Sequence, residues 1–383
     1  MASVDSGALL AAVQLAASAR DRKARLPILA RLRIFSDAGA LFVAGASYDR
    51  QVLVELEAEV EGAFDVVVEP ERLLALLRNV DGQVLLEPSR ASLLVEADGH
   101  HLVLPSMGPQ DLPAPPESQP RTEQASVPAS LWRDIGALVA YAAGTDEARP
   151  ALQAVCLRDY DDEGLAAMAT DGYRLAEYVV PGVRLGTGDG GLLLPAAAVA
   201  AMGQAANLVR SDASVLTLCG DGDGWRRVEY SLAAPATDEN AIRCVWLSSA
   251  LVAARYPDAR AVIPTSHNYL AYVATAELVP ALKLAVAVAD ESRRVSLRLD
   301  KRSLAVSSSG VDGQEYDVEL PAETVDGDGV LTAYFDGRYL LQAVQAINTE
   351  RVALRFLDEK RPLVIAAADG NRGRHVIMPM AIR

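Results

Sequence analysis

Four histidines, His100, His101, His267 and His375, are the residues best suited to hold a metal or move a proton. None stands in an HExxH or similar ligand spacing, and the His100–His101 pair beside Gly99 reads as a surface turn. Three cysteines, Cys156, Cys219 and Cys244, lie far apart with no CxxC spacing. That spacing speaks against a zinc site or a disulfide framework and suits a reducing cytoplasm. The run Gly186-Thr-Gly-Asp-Gly-Gly191 resembles a phosphate cradle only superficially. A dinucleotide loop should open into a helix, whereas apolar Leu192–Leu194 follows, so the run reads as a hairpin or loop. Asp161-Asp162-Glu163 precedes Gly164, the pattern of a solvated turn between strands. No GxSxG elbow and no P-loop lysine motif occurs. The sequence thus nominates no catalytic residue, no metal ligand and no cofactor. An enzyme working through the many carboxylates is the disfavoured alternative.

The elements that must position any site recur three times. One amphipathic helix carries Leu9, Val13 and Ala16 on a single face, a second Leu131, Ile135, Leu138 and Ala142, a third Leu278, Leu282, Ala285 and Ala289. These are helical steps that bury one stripe. Pro280 must then lie near the start of its helix, where a missing N–H costs little. After each β-rich stretch another helix begins, near Pro70, Pro195 and Asp336. Its buried stripes are Leu73, Leu77 and Val80; Val199, Met202 and Ala206; and Leu340, Val344 and Ile347. Corresponding helices lie about 120 to 150 residues apart, a domain-sized period. Strand-like runs bounded by Gly, Asp and Pro fill the gaps, among them Leu41–Ala44, Gln51–Leu56, Val84–Glu87, Ser92–Val95, Ala154–Arg158, Val215–Leu218, Val295–Leu299, Ser303–Ser307 and Val352–Phe356. Helices covering one face of mainly antiparallel sheet make an α+β fold. The Pro-, Ser- and Gln-rich stretch from Leu104 to Gln124 reads as a linker, and a second boundary falls near Pro264–His267. The expected domains are therefore 1–122, 123–264 and 265–383.

Bulk composition limits the function classes. Apolar residues make up 51% and charged residues 23%, which argues for a folded chain. No apolar run is long enough to span a bilayer, and Met1–Ala12 does not read as a signal peptide. The net charge of −15 argues superficially against a nucleic-acid partner. A sum says nothing about faces, so an acidic exterior with a basic lining is still compatible with it.

Several segments then resemble bacterial DNA sliding clamps, the β subunit family of DNA polymerase III, in that family's order. They are Leu26-Pro-Ile-Leu29, Pro150-Ala-Leu-Gln-Ala154, Ala169-Thr-Asp-Gly-Tyr-Arg-Leu-Ala176, Tyr256-Pro-Asp-Ala-Arg-Ala-Val262, Phe335-Asp-Gly-Arg-Tyr339 and Val376-Ile-Met-Pro-Met380. The resemblance covers essentially the whole chain. It implies three tandem clamp domains, each with two helices on antiparallel sheet, forming half of a six-domain ring. Two chains would close head to tail as a homodimer around double-stranded DNA without reading its sequence. Partners implied are the DNA polymerase III catalytic subunit, the clamp loader, and other polymerases and repair proteins with clamp-binding motifs. Interface candidates are Leu102–Leu104 and the region of Val288 and Ala289.

The resemblance also implies two sets of contact residues. A peptide-binding pocket would comprise Leu152, Thr170, Gly172, Tyr173, Arg174, Leu175, Pro257, Val262, Tyr339, Val376, Met378, Pro379 and Met380. Flexible Met side chains suit varied apolar anchors, Gly172 allows close backbone approach, and Arg174 is expected to meet a polar or acidic group. Cations available to phosphates are Arg20, Arg22, Lys23, Arg25, Arg72, Arg78, Arg133, Arg149, Arg210, Lys283 and Arg338. Departures from the family pattern are Ala261 and Ala381 where Arg is common, Tyr173 where His is common, Ala196 and Ala197 in an often basic stretch, and a longer segment from Pro235 to Arg255. They motivate an alternative reading as an accessory clamp with altered partner or inhibitor binding.

Overall fold

One order of elements is repeated three times in the computed structural model, which describes residues 1–21, 25–112, 121–188, 190–221, 224–235, 241–327, 329–370 and 373–381. The first third runs β1 (Ala2–Asp5), α1 (Ser6–Ala17), β2 (Leu32–Asp37), β3 (Ala40–Ala46), β4 (Arg50–Leu56), β5 (Glu59–Val60), β6 (Asp65–Val68), α2 (Pro70–Leu77), β7 (Gln83–Pro88), β8 (Ser92–Ala97) and β9 (His100–Met107). Next come β10 (Arg121–Pro128), α3 (Ala129–Leu138), β11 (Ala154–Tyr160), β12 (Gly164–Thr170), β13 (Arg174–Val180), β14 (Leu192–Pro195), α4 (Ala196–Leu208), β15 (Ala213–Asp221), β16 (Gly224–Ala233) and β17 (Ile242–Ala250). The last third is β18 (Tyr269–Ala274), α5 (Thr275–Val288), β19 (Arg294–Leu299), β20 (Ser303–Ser309), β21 (Glu315–Asp326), β22 (Leu331–Asp336), α6 (Gly337–Ile347), β23 (Arg351–Phe356), β24 (Leu363–Ala367) and β25 (Gly373–Ile377).

The expected helical stripes are largely buried, including Leu9, Val13, Ala16, Leu73, Leu77, Val199, Met202, Leu282, Leu340 and Val344. Val80 and Ala142 are buried beyond the ends of α2 and α3, and Ala289 is only half-buried, just past α5. Short polar side chains start two of the helices. Asp5 accepts from the Ala8 N–H at 2.8 Å, and Asp336 from the Arg338 N–H at 2.9 Å. Pro280 departs from expectation: α5 begins at Thr275, so the proline sits in its second turn and removes one ladder hydrogen bond. Where α3 crosses α4 the backbones almost touch. A Cβ on Gly203 would meet the Trp132 carbonyl oxygen at 2.9 Å. His100 and His101 are exposed as expected, but they open β9 instead of lying in a turn; Asp98 and Gly99 make that turn with positive φ. The expected linker is also shorter, because Leu104–Met107 belongs to β9 and Arg121–Gln124 to β10.

The strands form two antiparallel sheets, one in each of two compact units. Residues 1–136 and 197–253 carry a 13-stranded sheet in the order β10-β15-β16-β17-β4-β3-β2-β6-β9-β8-β7-β1-β5. Residues 137–196 and 254–383 carry a 12-stranded sheet, β14-β11-β12-β13-β25-β24-β23-β18-β21-β20-β19-β22. Residues 123–264, expected as a middle domain, contribute to both units. The first sheet is continuous because β17 pairs with β4, Leu247 opposite Val52. The second is continuous because β25 pairs with β13, Val376 opposite Leu175. Strands β2 to β4 alternate buried and partly exposed residues, as strands with one face on the core must. β12 is buried at all seven positions, so something also covers its outer face.

Candidate functional site

The second unit gathers most of the residues expected to bind peptide. Thr170, Leu175 and Val376 stand opposite one another on β12, β13 and β25, so their side chains share one sheet face. Thr170 is 8% exposed and Leu175 and Val376 less, making this the floor of the surface. The tight turn between β12 and β13 is tied by Asp171, whose Oδ1 accepts from the Tyr173 and Arg174 N–H groups at 2.9 and 3.0 Å. Thr170 Oγ1 also accepts from the Gly172 N–H at 3.1 Å. Gly172 has φ +95°, so the turn itself demands glycine, a different reason from the close ligand approach expected. Tyr173 stands 63% exposed at the rim, and its carbonyl accepts from the Met378 N–H at 2.9 Å. Met378 is exposed, Pro379 and Met380 half-buried, and the Met380 N–H donates to the Tyr334 carbonyl. Leu152, half-buried, lies in a 3-10 turn whose carbonyl receives the Gly144 N–H.

Arg174, expected to meet a polar or acidic group, meets Asp171 of its own turn. Its side chain is 10% exposed and fully engaged inside the protein. Nε donates to Asp171 at 3.1 Å, Nη2 to the Tyr141 carbonyl at 2.8 Å, and Nη1 to Gln342. The guanidinium also stacks over the rings of Tyr339 and Tyr141. Alternation along β13 puts Arg174 on the face opposite Leu175, so Arg174 and Tyr339 brace the turn from behind. Beside them, buried His375 accepts or donates through Nδ1 to the Tyr141 hydroxyl at 2.7 Å, while its Nε2 finds no partner among the described residues. Burial drives the imidazole down to about 3, leaving it neutral.

Sequence reasoning missed what covers β12. The segment 254–263 lies on the outer face, with the Tyr256 hydroxyl donating to the Met168 carbonyl at 3.3 Å. Arg260 pins it. Its Nη groups fork onto Glu163 at 3.0 Å, its Nε pairs with Glu177, and its guanidinium stacks 3.7 Å from the Tyr160 ring centre. Glu177 is completely buried and takes a second guanidinium from Arg374. Burial works against the Arg260 charge, but the Glu163 hydrogen bonds and the nearby Glu177 charge outweigh it and hold its pKa above the ordinary value. This clasp carries Pro257 and Val262, both exposed, to the same face as Leu175. A Glu alternating in register with Leu175 was the available signal that a cation must cover it, but spacing alone could not say which.

The cations expected to meet phosphates separate into groups. Arg20 is a correction: its side chain is 1% exposed, paired with Glu71 at 3.0 Å and bonded to the carbonyls of Ala17 and Ala30. It ties α1 to α2 and is not available to DNA. Arg25, Arg72, Arg78, Arg133, Arg210 and Lys283 are exposed. Arg149 and Arg338 are held by Asp146 and Asp336 at 2.9 and 2.8 Å. Arg22 and Lys23 lie outside the described residues. No group of three or more metal-ligating side chains is set for an ion among the described residues, and no helix there is long and apolar enough to cross a membrane.

Residues 260–381 match the family described as DNA polymerase III beta subunit, C-terminal domain. The chain is 24% identical to the beta sliding clamp of Streptomyces coelicolor, covering 99% of this chain and 98% of that protein. It is 28% identical to the beta sliding clamp of Micrococcus luteus, covering 77% and 90%. In structure it resembles the sliding clamp, DNA polymerase III subunit beta, of Bartonella birtlesii bound to griselimycin. There the TM-score is 0.77 at 20% identity, covering 100% of both chains. The thrice-repeated order of helices and antiparallel strands is thus the sliding-clamp fold. Residues 260–381 therefore match the C-terminal domain of the DNA polymerase III beta subunit family, and along its whole length the chain is similar to bacterial beta sliding clamps, which are non-catalytic processivity factors.

Proposed function

We propose that two copies of this chain close into a ring that encircles double-stranded DNA in the cytoplasm and tethers the replicative polymerase. In this reading the chain has three domains, 1–122, 123–264 and 265–383, and a clamp loader opens the ring. One observation carries it. β4, β13 and β21 hold the same place in their thirds, as do β9, β17 and β25. β17 pairs with β4 and β25 with β13, so the pairing left over is β9 with β21. Among the described residues both have an open edge in their own sheets. There β9 pairs along His100–Pro105 with β8 alone, and β21 pairs along Glu315–Pro321 with β20 alone. A second copy satisfies both edges, and a head-to-tail contact repeated twice closes.

The two internal junctions even supply a register. Gln51 faces Ser248 in one and Leu175 faces Val376 in the other. Carried to the third, Glu315 takes the place of Gln51 and Val103 that of Ser248, which sets His101 opposite Asp317. The exposed face of β9 presents His101 and Val103, while that of β21 presents Glu315, Asp317 and Glu319. The pairing therefore matches a histidine to an acidic row. The test is a Val103→Cys, Glu315→Cys double variant under mild oxidation. Disulfide-linked dimers that stay on nicked circular DNA but leave short linear duplexes are expected. A monomer by sedimentation at micromolar concentration, with no crosslink, would sink the reading.

The floor of Thr170, Leu175 and Val376, rimmed by Tyr173, Met378, Pro257 and Val262, supports docking of short apolar-anchored peptides from polymerases, the loader and repair proteins. The departures at Tyr173, Ala261 and Ala381 border that surface and favour a second reading, an accessory clamp with an altered partner set. Titration with a QLxLF-type peptide separates the two, since ordinary affinity removes the motive for the second.

A further inference from the structure

The geometry points to a second contact for docking partners: a cavity beside the clasp that takes an acidic side chain from the segment flanking the docked apolar anchors. The inference rests on the peptide-docking reading above and adds the charge of the ligand. The clasp runs on through residues 263–267 to β18 and walls an open cavity of about 550 Å³. Three guanidiniums line it, from Arg260, Arg355 and Arg374, among apolar Ile263, Leu270 and Val364.

Strand register ties this cavity to the docking floor. Leu175 and Val376 of that floor are followed on the next strand by Val364, then by Arg355 and Leu270, one row on one sheet face. Three strand spacings separate Leu175 from Arg355, roughly 14 Å. The acids nearby are already engaged. Glu163 and Glu177 hold Arg260, Glu177 also takes Nε of Arg374, and Asp326 stands 3.5 Å from His267 on the cavity wall. Arg374, with its side chain 39% exposed, keeps both Nη groups for another acceptor. Arg355 is half-buried on the sheet and makes no ion pair among the described residues. The two rise from the same face on either side of β24, Arg374 opposite Ala366 and Arg355 opposite Val364. Guanidiniums fork onto carboxylates, and a pair of them set among aliphatic side chains suits the acid of a peptide better than a hydrated free ion.

The test titrates the full chain with fluorescent QLxLF-type peptides. One carries a run of aspartates beyond a flexible Gly/Ser spacer of about six residues, whose root-mean-square span of roughly 13 Å matches the distance. Its twin carries asparagines, and each is made with the run at either end. With the run at one of the two ends, the aspartate peptide should bind several-fold tighter than its twin at low salt, an advantage that shrinks as salt screens it. Arg355→Gln should remove most of that advantage and leave the affinity of the plain peptide unchanged. Arg298→Gln, which removes an exposed cation from β19, should leave both intact. Equal binding of aspartate and asparagine peptides overturns the inference. So does an equal loss in the two variants, which marks general attraction and not a site. If inorganic phosphate raises the melting midpoint of wild type but not of Arg355→Gln while the aspartates gain nothing, the cavity holds a small anion and the partner contact is overturned. Docking of the plain peptide is scored separately. If it fails, the docking reading falls and this inference with it; if it holds while the aspartates gain nothing, only the acidic contact is wrong.

Discussion

At the β4–β17 junction the core face is closed by Val52, Val54, Val245 and Leu247, all buried, and nothing ionised is needed. At the β13–β25 junction the same backbone pairing places Glu177 opposite Arg374, with the carboxylate completely buried and a second guanidinium arriving from Arg260. Main-chain hydrogen bonds and apolar packing thus close the core face of the first junction, with the partly exposed Arg243–Glu57 ion pair beside it. The ionised cluster at the second junction serves something else: it fastens the 254–263 segment over β12 and so builds the wall of the proposed docking surface.

That contrast can be broken most forcefully at Arg260. Arg260→Ala leaves Glu177 buried with a single partner and should cost roughly 3 to 5 kcal/mol, read as a fall in the urea midpoint, and should weaken peptide docking as well. Its counterpart, Leu247→Ala, leaves a cavity costing roughly 2 to 5 kcal/mol but should not alter docking. Equal effects of the two on peptide affinity would erase the distinction between the junctions. A smaller effect sharpens it from the peptide side. Met378→Ala should reduce docking by roughly 1 to 4 kcal/mol while leaving the unfolding midpoint where it was, because Met378 is an exposed rim residue.

The smallest effect concerns pH. His375 is neutral in the fold with a pKa near 3, against 6.5 for an ordinary imidazole. Between those values the unfolded chain binds a proton that the folded one refuses. Its share of stability is thus complete above pH 6.5 and is lost as pH falls toward 3. His375→Phe should lose less stability than wild type between pH 7 and pH 5. Identical losses in denaturation midpoints would remove His375 as the cause.

Local pattern made much of this fold legible. Helices α2, α4 and α6 begin where Pro70, Pro195 and Asp336 and the apolar stripes place them, since those signals act within a few turns, whereas α5 begins at Thr275, ahead of Pro280. The pairing of β13 with β25, almost two hundred residues apart in sequence, has no such local signature, and neither does the division of the chain into two sheets. The site was legible by type but not by role. Arg20 looked like a cation free for phosphate because sequence does not reveal that Glu71 lies waiting for it, and Arg174 was expected to meet an acidic group without any sign that Asp171 of its own turn supplies it. Nothing in the sequence singled out Glu177, because only the fold brings Arg260 across it.

The acidic face of β21 has a consequence beyond the partner it favours. Two copies of that strand laid edge to edge would oppose Glu315, Asp317 and Glu319 with the same three groups, and like charges directly across a strand pair are destabilising. Open edges are the usual seeds of aggregation, and an unclosed head-to-tail contact strings chains into fibres. Under the proposed pairing of β9 with β21, the row of carboxylates guards against that fate in a chain that has yet to find its mate.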